Sequence, residues 1–137
     1  MSILKLWYEP DPEDDVGKLW MTVETACFSG EGFFWSYRDG ARQLADKLKL
    51  YPLPDAAEAK WGYDNVAGEK VVLSLRVVPV NKTGDLVAEV QIADLHDLRQ
   101  RVSAIFSTTY AEAETFRQQL ESLMDGSANA AELLGRS

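Results

Sequence analysis

Residues 32–53 read GFFWSYRDGARQLADKLKLYPL, and a change of period inside this stretch decides the fold. Gly32 to Tyr37 is an aromatic, β-favouring run that predicts a strand. Behind it, Ala41, Leu44, Ala45 and Leu48 recur at the i, i+3, i+4, i+7 spacing of one helix face. Arg42, Asp46, Lys47 and Lys49 fall on the opposite, solvated side. Asp39 is the expected N-cap, because its carboxylate can accept from a free amide of the first turn. Pro52 and Pro54 end the helix, since proline lacks the amide and disfavours helical geometry in the residue before it.

Upstream, Ile3 to Tyr8 alternates loosely and predicts a first strand that stops at Pro10 and Pro12. From Gly17 a second strand places Leu19, Met21, Val23 and Cys27 on one face and Trp20, Thr22, Glu24 and Phe28 on the other. Ser29-Gly30-Glu31-Gly32 has turn chemistry and predicts the reversal into the aromatic strand. Downstream, Ala56 to Ala59 suits a helical turn within the irregular stretch 55–68, and Lys60 to Tyr63 a short strand. Glu69 to Val80 alternates cleanly, Asn81 to Asp85 reads as a turn, and Leu86, Ala88, Val90 and Ile92 give a returning strand its inward face. After the polar link 94–99, Val102, Ala104, Phe106 and Thr108 alternate once more. Thr109 and Glu112 form a capping box, followed by the stripe Ala113, Phe116, Leu120, Leu123 and Met124 and a terminating Gly126.

The expectation is an α+β fold in β-β-β-α-β-β-β-α order. It comprises a mostly antiparallel sheet of about five to six strands with two amphipathic helices packed on it. Residues 1–126 form one domain, and 127–137 form a tail that can carry one further helical turn at 129–134 before fraying.

The 137 residues include 22 acidic and 14 basic side chains, a net charge of −8 that disfavours nucleic acid and anionic membranes as partners. A basic protein partner suits that field, and so does plain solubility. With one cysteine, Cys27, no internal disulfide forms, and the N-terminus lacks the pattern of a signal peptide, so the expected location is cytoplasmic. The single histidine, His96, has no nucleophile near it in sequence. It reads as a loop residue, and Cys27 reads as a small buried hydrophobe. Cys27 and His96 alone cannot make a zinc site. The loop carrying Glu9, Asp11, Glu13, Asp14 and Asp15 lacks the register and glycine of a calcium loop. No enzyme, metal or cofactor is expected. The Asn81-Lys82-Thr83 glycosylation triplet has no role in a cytosolic chain.

The order GEGFFW at 30–35, LADKL at 44–48, YPL at 51–53, WGY at 61–63, Val71 to Val78, GDLVAEV at 84–90, then Thr109, Tyr110, Phe116 and Leu120 resembles WapI-type bacterial immunity proteins and their small relatives. The likeness spans about residues 17 to 125, rests on patterning rather than a catalytic signature, and departs at Asp94 to Arg101. It implies a non-catalytic, protein-binding domain that neutralises a toxin by occluding it. Glu9, Asp11, Glu13, Asp14 and Asp15 are then the expected contacts for a basic toxin domain, with Trp20 and Trp61 as apolar anchors. Two other readings stay open: a small-ligand or regulatory module with a pocket lined by Trp35, Trp61 and Tyr63, and a homodimeric structural protein. Both faces of the 17–37 hairpin carry large apolar side chains, so covered core and exposed interface both fit them.

Overall fold

Alternation decides which side of each strand is dry. In β1 (Ser2–Glu9) the residues Leu4, Leu6 and Tyr8 are buried, and in β2 (Val16–Glu24) Leu19, Met21 and Val23 are. Their partners on the other face stay at least partly exposed, so one face of this sheet meets the core and the other does not. β3 (Ser29–Tyr37) follows, then helix α1 (Arg42–Leu48), β4 (Ala57–Gly62), β5 (Val71–Pro79), β6 (Asp85–Asp94), β7 (Asp97–Thr109), helix α2 (Tyr110–Asp125) and β8 (Ala130–Gly135). The computed structural model describes residues 1–63, 70–81 and 84–136. Among the described residues the fold is α+β with two helices, as expected, but the strands number eight and form two antiparallel sheets rather than one. Sheet A has the order β3-β2-β1-β8 and sheet B the order β4-β5-β6-β7.

The inner face of β3 crosses sheet B strand by strand. A Cβ on Gly30 would lie 2.3 Å from Val102 of β7, and one on Gly32 would lie 2.7 Å from Ile92 of β6 and 3.8 Å from Leu73 of β5. Farther along, Phe34 meets Tyr63, and Ser36 Oγ accepts from Trp61 Nε1 of β4 at 3.2 Å. Consecutive inward residues thus meet consecutive strands, which is the crossed arrangement of packed sheets. The glycines expected to turn the chain are instead the thin places where the sheets touch.

The reversal comes earlier, at 25–28, where Thr25 N donates to Phe28 O at 2.8 Å. Cys27 is exposed in that loop and is not on the buried face of β2. Asp39 does not cap α1 through its side chain; Ala41 holds the N-cap position, and the Asp39 carbonyl accepts from Arg42 N at 3.0 Å. In place of the helical turn expected at 56–59, β4 begins at Ala57, and the polar link after β6 is a tight hairpin whose second strand already begins at Asp97. The stretch 64–69 and positions 82–83 lie outside the described residues. Beside them, Val80 N donates to Asp85 O at 3.1 Å.

The C-terminal segment expected to make a helical turn at 129–134 instead enters strand β8 at Ala130. It pairs along β1, and Arg136 exchanges two backbone hydrogen bonds with Ser107 of β7 at 2.8 and 2.9 Å. That bridge joins the sheets along one side, and the helices pack against β4, β7, β8 and each other. α2 matches its sequence closely. Thr109 Oγ1 accepts from Glu112 N at 3.2 Å, Ala113, Phe116, Leu120, Leu123 and Met124 are buried, and Gly126 ends the helix at φ 89°. Among the described residues no helix is long and apolar enough to cross a membrane.

Candidate functional site

The strand register arranges the outer face of sheet A in cross-strand rows. One row is Ala130, Trp7, Trp20 and Phe33; the next is Glu9, Lys18 and Trp35; on the other side run Glu132, Lys5, Thr22 and Glu31. Directly opposed side chains on neighbouring strands come into contact, so the aromatic row closes on itself. Trp7 and Trp20 stack at 5.0 Å with planes 5° apart, Trp20 meets Phe33 at 4.7 Å, and Phe33 meets Trp35 edge-on at 5.7 Å. Lys18 Nζ lies 5.0 Å from the Phe33 ring centre and 5.6 Å from that of Trp35.

This row is not core. Trp7, Trp20 and Phe33 are half-buried by one another, Trp35 keeps 47% of its surface in solvent, and Tyr37 keeps 61%. The helices make their principal contacts elsewhere, with β4, β7 and β8. The stacking also limits what the face can recognise. Trp20 has a ring neighbour on both sides, so it does not offer the free π-face on which a nucleobase stacks. An extended aromatic surface with ring edges and a polar rim suits a protein surface better.

The acidic loop borders the same face. Glu9 Oε1 accepts from Trp20 Nε1 at 3.1 Å, and Glu9, Asp11, Lys18 and Trp35 line one shallow cleft. Asp11 and Asp14 also order the loop, accepting from the amides of Glu13 at 2.9 Å and Val16 at 3.2 Å. Glu13, Asp14 and Asp15 are exposed. The structure therefore brings Glu9, Asp11 and Trp20 together, with the rest of the loop beside them. Trp61 lies apart from them, buried on the inner face with its indole N–H on Ser36. It is a core residue and cannot anchor a partner.

The pocket expected from Trp35, Trp61 and Tyr63 does not assemble either. Trp35 points outward, Trp61 inward, and Tyr63 packs on Phe34 with its hydroxyl donating to Leu95 O at 2.9 Å. His96 is exposed at the tip of the β6–β7 hairpin. Its neighbour Asp97 is engaged by Arg99 at 2.9 Å through both carboxylate oxygens, which holds that carboxyl below its ordinary range. Among the described residues no group of three or more His, Cys, Asp or Glu side chains is placed to hold a metal ion.

Trp7, Phe33, Glu31 and Lys18 are the members of this surface that the sequence reading passed over. The signal was present for Trp7, which falls on the solvent parity of a strand whose other parity is dry, whereas Phe33 and its neighbour Phe34 are both half-buried. Only the pairing register reveals that Trp7 and Phe33 meet Trp20. No known protein family, curated protein or solved structure matches the chain.

Proposed function

We propose that this chain is a non-catalytic protein-binding domain whose outer sheet-A face docks on a basic partner. The observation that carries this reading is the open row Trp7, Trp20, Phe33 and Trp35 bordered by Glu9 and Asp11. Aromatic side chains at the centre of an acidic rim combine apolar anchors with a field that speeds encounter with a cationic surface. The sequence likeness to immunity proteins makes a toxin domain the favoured partner class, held by occlusion rather than by chemistry.

Affinity capture from lysate of the source cells at low and high salt, with wild-type and Trp35→Glu protein in parallel, tests this. The expected result is a stoichiometric basic partner that salt weakens and Trp35→Glu loses. A partner retained equally by the variant refutes the face as the binding site. For the toxin assignment, the captured partner should arrest growth when expressed alone and be silenced by co-expression of this chain. Harmless expression overturns it.

A further inference from the structure

Four clefts on the surface each hold a cation beside their carboxylates: Arg76 and Lys60 on sheet B, Lys60 again near Gly40, Arg136 beside Glu112, and Lys18 beside Glu9. A fifth does not. It opens where the β6–β7 hairpin leans over β3, with Trp20, Phe33 and Glu31 on one side and Asp94 and Leu95 on the other. Gly32 lies between these walls. A side chain there would press on Ile92 and come within 3.1 Å of the Ala93 carbonyl, so the missing Cβ lets the hairpin approach this closely. Among the described residues Glu31 has no ion-pair or hydrogen-bond partner. Asp94 uses Oδ1 to accept from His96 N at 2.9 Å, which leaves Oδ2 free among those residues.

We infer that this cleft takes a cationic side chain of the partner, arginine in preference to lysine, with its charge between Glu31 and Asp94, its flat group against Phe33 and its stem along the edge of Trp20. The inference rests on the protein-binding reading above and adds its point of recognition. The same face already shows the chemistry within the chain, because Lys18 sits over Phe33 and Trp35, one register row beyond Phe33, while Glu31 lies one row before it. A guanidinium fits best, being planar, weakly hydrated and able to donate to two carboxylates while it lies on a ring. Two carboxylates line this cleft with no cation among its described lining residues, and a partner's cation there supplies the missing charge.

The test uses the full chain and an acetylated tetra-arginine amide, followed by nitrogen-15 NMR, with tetra-lysine as comparison. Arginine peptide should shift the Trp20 indole and the amides of Glu31, Phe33 and Leu95, and should bind more tightly than the lysine peptide. The isosteric pair Glu31→Gln with Asp94→Asn should weaken it about tenfold, the loss of two charged contacts at a partly exposed site. Glu58→Gln with Glu89→Gln removes the same charge from the outer face of sheet B and should leave affinity nearly unchanged. Equal weakening by both pairs, or shifts centred elsewhere, overturns the cleft. Because no natural partner is needed, the two readings fail separately. A silent cleft beside a Trp35-dependent partner removes this inference alone, and a responsive cleft with no Trp35-dependent partner removes the docking reading alone.

Discussion

The two sheets face solvent in different ways. The outer face of sheet B is set with opposite charges that pair with one another: across strands Arg76 reaches Glu89 at 3.0 Å and Glu58 at 3.8 Å, and within β4 Lys60 reaches Glu58 at 3.6 Å. The equivalent face of sheet A carries the stacked row from Trp7 to Trp35, with carboxylates at its margins. The outer face of sheet B pairs Arg76, Glu58, Glu89 and Lys60 with one another, whereas sheet A holds apolar rings in water and leaves Glu31 without a counterion among the described residues. A surface that only had to stay dissolved has no need of the second arrangement. On the docking proposal, the difference marks the side of the molecule that meets a partner.

Substitutions on the two faces, judged against the shared core, can break this contrast. The reference is Trp61→Ala, which empties a buried site and removes the indole donor to Ser36 Oγ, and should cost about 3–5 kcal/mol in urea unfolding. Trp20→Ala comes next. It removes two ring contacts and the hydrogen bond to Glu9, and should cost about 1–3 kcal/mol while abolishing partner capture. Arg76→Ala on sheet B should cost about 1 kcal/mol or less and leave capture intact, because exposed ion pairs contribute little. Should Arg76→Ala impair capture as much as Trp20→Ala does, the two faces are not functionally distinct.

Much of this division is visible in the residues themselves, and its limits have physical causes. α2 was legible to the residue because its signals are local: a capping hydroxyl, a stripe at helical period and a glycine in the left-handed region. The β2–β3 reversal was misplaced because Gly30 and Gly32 resemble turn residues, whereas Val102 and Ile92, far along the chain, are what demand their missing side chains. β8 was missed for a related reason. Its sequence AAELLG consists of good helix formers ending in glycine, yet β1 offers an unpaired edge and the strand buries Ala131 and Leu133 by alternation. At the site, the acidic loop and Trp20 could be named from sequence. The row could not, because cross-strand neighbours depend on a register that no single strand encodes. Trp20 and Trp61 share aromatic, strand-like surroundings in sequence, and only the crossing of two sheets puts one outside and the other inside.

The smallest expected effect concerns the charges the fold uses for itself. Between the helices, Glu121 receives Arg42 at 2.7 Å and lies near Lys49 and Arg117 at 3.5 Å. The hydrogen bond from Arg42 lowers its folded-state pKa from the ordinary 4.5, against a smaller opposing desolvation. A carboxyl whose pKa is depressed by folding stabilises the native state above its unfolded value, and that contribution is lost as pH falls through the folded one. Glu121→Gln should therefore lower stability by about 1 kcal/mol or less at pH 7, a figure kept small by partial exposure. Its difference from wild type should shrink towards zero once the pH is well below 4.5. Urea midpoints for both proteins across that range would show it, and a difference that persists in acid would assign the loss to packing instead. Binding of the tetra-arginine peptide at pH 7 should be the same for Glu121→Gln and wild type, since this carboxylate is already satisfied within the chain and Glu31 is not.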